Sequence, residues 1–173
     1  KRLAFDEIFA NFLLSSKIRS KIKKIKKKNK IFNFDYQNKI LKKLKFKLTN
    51  DQILALDNIN NDMKSKQKMF RLLQGDVGSG KTIISVIAAL NAIKAGYQVA
   101  IMAPTEILAI QHFKYIQENF KNYCNAELLT SKTDYKYRKK ILNNLSKNKI
   151  NMLIGTHSLF QKKISYKNLG LII

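Results

Sequence analysis

Eight consecutive residues, Gly75–Asp76–Val77–Gly78–Ser79–Gly80–Lys81–Thr82, carry the clearest chemical signal in the chain. They satisfy the pattern of a glycine, four free positions, then Gly-Lys-Thr, in which the glycines let backbone N–H groups curl inward around phosphate oxygens. A helix opening near Gly80 would aim its positive dipole end at the same point. On this reading Gly75, Asp76, Val77, Gly78, Ser79 and Gly80 line the phosphates of ATP, Lys81 reaches the β- and γ-phosphates, and the Thr82 hydroxyl ligates Mg²⁺. Lys81 and Thr82 are thus the expected catalytic pair, with ATP and Mg²⁺ as cofactors. The plain alternative is a glycine-rich turn with no ligand, which the flanking pattern of strand and helix disfavours.

Such a loop works only if firm elements hold it. Phe70 to Leu73 reads as a short buried strand feeding the loop, and Ile83 to Ala95, apolar on most faces and ending at Gly96, reads as the helix that leaves it. The order then repeats. Val99 to Ala103 is a strand, Pro104 to Phe120 a helix with Ala109, Phe113, Ile116 and Phe120 at helical spacing, and Ala126 to Thr130 another strand. A helix from about Asp134 to Ser146 precedes the strands Met152 to Gly155 and Leu169 to Ile173. Short apolar strands alternating with helices predict an α/β fold, a parallel sheet covered on both faces. Upstream, Asn50 to Lys64 reads as a helix capped by Thr49 or Asn50.

From Leu3 to about Lys28 the apolar residues Leu14, Ile18, Ile22 and Ile25 recur at helical spacing among lysines, a basic amphipathic helix. It could pack along a neighbouring domain with a solvated lysine face, track DNA, or lie on a membrane surface. A break is expected from Asn29 to Asp35.

The chain has 173 residues, room for one domain and an appendage. It opens on Lys1 as if inside a helix and stops within an apolar run, so a piece of a longer protein is expected. The longest apolar stretch, Ile83 to Leu90, is well short of the roughly 18 residues of a membrane span, and Asp6 and Glu7 argue against a signal peptide. A cytoplasmic protein with no membrane partner is the expectation. The single cysteine, Cys124, has no intrachain partner for a disulfide and no metal-ligand spacing around it. The formal charge of +23 suits a polyanionic partner such as DNA. Lysine far outnumbers arginine, present only at Arg2, Arg19, Arg71 and Arg138, and with the abundant Ile and Asn this is equally what AT-rich coding DNA produces.

A phosphate-binding loop alone does not separate a helicase from a kinase or a GTPase; the flanking motifs do. The loop, then Met102–Ala103–Pro104–Thr105–Glu106–Ile107–Leu108–Ala109 with Gln111–His112–Phe113, then Gly155–Thr156–His157–Ser158–Leu159–Phe160, together resemble the ordered motifs of the RecG family of superfamily 2 DNA helicases. Arg2–Leu3–Ala4–Phe5–Asp6–Glu7 looks like the helix joining that family's wedge domain to its motor. Ile110 and Ser158 depart from the family's pattern.

The resemblance implies a basic helical arm over residues 1–45, linking to an absent wedge domain, and over 46–173 a first RecA-like lobe, incomplete at its C-terminal end. It places Phe46, Thr49 and Gln52 in the adenine-side motif, with Gln52 on the base edge, although F-x-L-T-x-x-Q is also an ordinary helix cap. Pro104, Thr105, Gln111 and His112 would lie along the DNA backbone, and Thr156 and His157 on a second strand-end loop. Ligands bind such sheets at the carboxyl ends of their strands, which agrees with that placement. For His112 and His157 a surface histidine is the structural alternative.

The strand Leu169 to Ile173 matches the one that leads into the family's acidic DEQH box, which holds Mg²⁺ and positions the attacking water, and the arginine finger belongs to a second lobe. The expectation is therefore a chain that binds nucleotide weakly, does not hydrolyse it usefully alone, and exposes sticky surface. The intact relative is expected to act as a monomer on forked or branched DNA, including Holliday junctions, in recombination and repair. Competing readings are a transcription-repair coupling type DNA translocase, a non-enzymatic basic DNA-binding remnant, and a small P-loop kinase, for which no acceptor site or lid follows Thr82.

Overall fold

The computed structural model describes residues 2–24, 32, 35–44, 46–160 and 164–173. The chain forms two compact units, one of Lys1–Phe32 with Leu48–Lys81 and one of Asn33–Lys47 with Thr82–Ile173.

The first unit contains helices α1 (Arg2–Lys24) and α3 (Asn50–Lys64) and the glycine loop. α3 starts where the sequence predicts, because Thr49 and Gln52 form a reciprocal capping box. Thr49 Oγ1 accepts from Gln52 N (3.3 Å) and Gln52 Oε1 accepts from Thr49 N (3.0 Å), so two amides of the first turn find partners. Leu56, Ile59 and Met63, spaced at three and four residues, form its buried face. α1 is a helix, as its periodicity predicts, yet Phe5, Ile8, Phe9, Phe12, Leu13, Leu14 and Ile18 are each more than half exposed. Ile25 and most of the expected break at 29–35 lie outside the described residues, as does the side chain of Ile22.

One expected element is absent. Phe70 to Leu73 is not a strand: the segment joins no ladder, and Phe70 and Leu72 are 59% and 79% exposed. An apolar run is only half of what makes a strand. A strand also needs its N–H and C=O groups paired in a ladder, and residues 70–73 take part in none of the pairings of the sheet.

The second unit is a parallel α/β layer structure. Its four strands, β1 (Gln98–Met102), β2 (Ala126–Leu129), β3 (Met152–Gly155) and β4 (Leu169–Ile172), lie in the order β2-β3-β1-β4. All three pairings are parallel, which requires long crossovers; α5 (Glu106–Phe120) and α6 (Tyr135–Ser146) supply two of them. β3 is buried at all four positions. α4 (Lys81–Lys94) buries nine residues from Ile83 to Ala92 and is closed by Gly96 at φ 84°, a left-handed C-terminal stop. Each large apolar side chain so buried contributes about 1.5–3 kcal/mol. The sequence reading missed α2 (Asp35–Leu41), a short helix whose Gln37 accepts a hydrogen bond from Asn91 of α4 (2.8 Å).

The register aligns three strand ends. Leu129 of β2 and Met102 of β1 both pair with Gly155 of β3. The loops after these strands therefore leave the sheet side by side along one carboxyl-terminal rim. Gly155 has a packing reason of its own, because a Cβ there would collide with the Leu129 carbonyl oxygen and the Leu159 side chain.

Candidate functional site

The glycine loop adopts the curl that its composition allows. Gly78 and Gly80 have φ of 82° and 83°, a region that side chains with a Cβ avoid, and Ser79 N donates to Asp76 O (3.1 Å) to close the turn. Lys81 folds back over this curl, its Nζ donating to Gly75 O (2.7 Å) and Asp76 O (2.6 Å) with Ser79 Oγ at 3.5 Å. The ammonium is thus tethered inside the loop. Val77, at the tip, is fully exposed. The chain then runs directly into the first turn of α4, whose second residue is Thr82.

Gln52 belongs to the same unit and performs the capping role and a second one. While its Oε1 caps α3, its Nε2 donates to Ser79 O (3.0 Å), so one amide joins the start of α3 to the phosphate loop. Phe46, the other residue of the expected adenine motif, is half exposed and lies in the second unit.

The remaining site residues lie in the loops after β1 and β3 and on α5. Pro104 and Thr105 follow β1, and Thr105 caps α5, its hydroxyl accepting from Leu108 N (3.3 Å). Gln111 is exposed on α5. His112 beside it is partly buried, and burial pushes its pKa below the ordinary 6.5 by disfavouring the charged ring. Thr156 follows β3, its carbonyl accepting from Leu159 N (3.0 Å), and exposed His157 opens a short 3₁₀ turn, His157–Phe160. The adjacent β1 and β3 ends bring both motifs to one edge.

Sequence reasoning missed one element of the rim. Glu106, in the first turn of α5, reaches the loop after β2, its Oε1 accepting from Ser131 N (3.1 Å) and Ser131 Oγ (2.6 Å), with Lys132 Nζ at 3.6 Å from Oε2. The Ser131 hydroxyl bond, followed by its N–H and by Lys132, holds the Glu106 carboxyl below its ordinary 4.5. A glutamate in a first helical turn reads as dipole compensation, so nothing in the sequence singled it out. Cys124 is buried, and burial raises its thiol pKa to about 11, where it is inert.

Comparison with known proteins agrees with these motifs. Residues 35–173 match the model of the DEAD/DEAH box helicase family. The chain is 42% identical, over its whole length, to the ATP-dependent DNA helicase RecG of Aquifex aeolicus (strain VF5), covering 22% of that protein. It is 46% identical to the RecG of Bacillus subtilis (strain 168) over 78% of its length, which is 20% of that protein. A solved structure of RecG bound to a three-way DNA junction superposes with a TM-score of 0.88 at 42% identity, covering 99% of this chain and 24% of that one. The chain spans about a quarter of the length of the relatives it matches. The four-stranded parallel sheet is accordingly that of a RecA-like helicase lobe, and with a matching model across residues 35–173 the chain belongs to the DEAD/DEAH box helicase family and, within it, is similar end to end to part of RecG.

Proposed function

We propose that the chain is the phosphate-binding part of an ATP-dependent DNA helicase or translocase that remodels forked and branched DNA in recombination and repair. The reading rests above all on Lys81, whose ammonium is held by Gly75 O and Asp76 O inside a loop turned by two glycines of positive φ. A cation fixed within a glycine-turned loop at the start of a helix suits the β- and γ-phosphates of ATP. Thr82 would hold Mg²⁺ through its hydroxyl, and the metal would supply charge neutralisation at the phosphates when bound. Gln52 would hydrogen-bond the adenine edge while its amide keeps Ser79 in place.

In this reading residues 1–45 form an arm to a wedge domain and 46–173 belong to the first motor lobe. Pro104, Thr105, Gln111, His112, Thr156 and His157 guide the DNA backbone along the rim. RecG bound to a three-way junction is the relative that supports a branched substrate. The intact protein would work as a monomer in the cytoplasm.

The test is a titration with a fluorescent ATP or ADP analogue in Mg²⁺, run beside Lys81→Ala. Binding by the parent chain that falls by about tenfold or more in the variant is the expected result, equivalent to at least about 1.4 kcal/mol. Equal binding by both would remove the loop from the nucleotide site, and binding by neither would defeat the ATP reading for this chain.

A further inference from the structure

We infer that the outer face of α6, together with the loop that precedes it, is an additional contact surface for the backbone of duplex DNA. The inference rests on the DNA half of the proposed function and extends it beyond the two motif loops to the edge of the sheet.

Three observations carry it. The first is position. Leu129, Gly155 and Met102 end their strands in register, so the loop after β2 emerges beside those carrying Thr156 and Pro104. α6 starts at that loop, on the edge strand, and runs back along the sheet until Leu145 O meets Gln98 at the start of β1, so its first turn, with Lys136, lies nearest the rim. The second is rigidity. Glu106 fixes Ser131 through both its N–H and its hydroxyl, and Asp134 caps α6 by accepting from Lys136 N and Tyr137 N, so the loop is tied down at both ends.

The third is charge. Ile141 and Leu145 pack inward with Leu129 and Leu153. On the opposite side of the helix lie Lys136, Lys139 and Lys140, all exposed, with Lys139 and Lys140 three and four residues on from Lys136, so Lys136 neighbours both on one broad face. α6 itself contains no Asp or Glu, and among the described residues none of the three lysines has a carboxylate within ion-pairing distance. The acidic groups nearest in the chain are engaged: Glu127 accepts from Tyr137 Oη (2.8 Å), Asp134 is the cap, and Glu106 holds Ser131 and Lys132.

Unpaired ammonium groups one helical turn apart suit the regular phosphates of a duplex, whose contacts position a protein without reading bases. A single strand would call instead for stacking platforms. Tyr137, one of two exposed aromatics at the start of α6, is tied to Glu127. The counter-reading is a solvated lysine face, and salt dependence separates the two.

The experiment measures binding of the full chain to a short labelled duplex, and to the matching single strand, over a series of KCl concentrations. The rim variant is Lys136→Gln/Lys139→Gln/Lys140→Gln. The control is Lys121→Gln/Lys147→Gln/Lys149→Gln, which removes the same charge from exposed residues leading into β2 and β3, at the amino-terminal edge of the sheet. Each lysine that neutralises a phosphate adds about 0.9 to the slope of log affinity against log salt. The rim variant should therefore show a duplex slope shallower by about 2 to 3, with the control close to the parent chain. Parent-like slopes in the rim variant, or equal losses in rim and control, would overturn the inference while leaving the DNA reading intact. A loss confined to the single strand would overturn the assignment to duplex. No binding by the parent chain even at low salt would overturn the inference and the DNA reading together.

Discussion

Two side chains show how much of this site hangs on single residues. Gln52 spends its carbonyl oxygen on the cap of α3 and its amide on Ser79 of the phosphate loop. These roles separate by chemistry. Gln52→Ala should lower stability by about 1 kcal/mol through loss of the cap and also weaken nucleotide binding. Gln52→Glu keeps an acceptor for Thr49 N but has no donor for Ser79, so its urea midpoint should stay nearer the parent while nucleotide affinity falls several-fold. If Glu binds nucleotide as well as Gln does, the bridge to Ser79 has no part in the site. Glu106 gives a pH signature. Its carboxyl is depressed in the folded chain, so its contribution is complete above the ordinary 4.5 and is lost as pH falls through the lower folded value. The gap in urea midpoint between the parent chain and Glu106→Gln should therefore be constant near neutrality and close on acidification. A gap unchanged at about pH 3 would mean that the Ser131 clasp is not ionic in character.

Among the elements, β1 carries the greatest burden, being paired on both sides, by β3 and by β4. Its first residue, Gln98, is wholly buried, which for a glutamine demands a complete set of partners. Nε2 donates to Leu145 O at the end of α6 and to Ile150 O ahead of β3, both at 2.8 Å, and Oε1 accepts from Asn168 N ahead of β4 (2.9 Å). One side chain thereby joins the approaches to β3 and β4. Gln98→Leu is nearly isosteric but strands three backbone groups, each costing about 1–3 kcal/mol when buried without a partner. A loss on the order of 3 kcal/mol in guanidinium unfolding is expected. A change under about 1 kcal/mol would show that water reaches these groups. Since β1 and β3 end at the motif loops, this variant should also weaken DNA binding without touching a DNA-facing residue.

At the scale of the whole molecule, charge and apolar surface are the dominant facts. A formal charge of +23 on 173 residues disfavours self-association and favours polyanions. In the sheet unit the charge is not laid down evenly: α6 sets its lysines opposite its buried face, whereas Glu106 and Lys132 partly cancel at the mouth of the same loop. α1 presents seven apolar side chains more than half exposed. The described residues contain no helix long and apolar enough to cross a membrane.

Local chemistry was legible in the sequence. The glycine loop, the capping box of α3, the stop at Gly96, and strands β1 to β4 within a residue or so of their ends were all written in residue type and spacing, because turns, caps and periodicity depend on neighbours along the chain. The motif residues of the candidate DNA surface were named only through the resemblance to the RecG family. Tertiary structure alone decided what depends on residues far apart. The strand order β2-β3-β1-β4 and the register that levels Leu129, Gly155 and Met102 come from long-range pairing that no local pattern encodes. The same holds for the Glu106–Ser131 clasp across 25 positions, the bridge from Gln52 to Ser79, and the network at Gln98. It also overruled Phe70 to Leu73: an apolar run proposes a strand, but only a partner edge makes one.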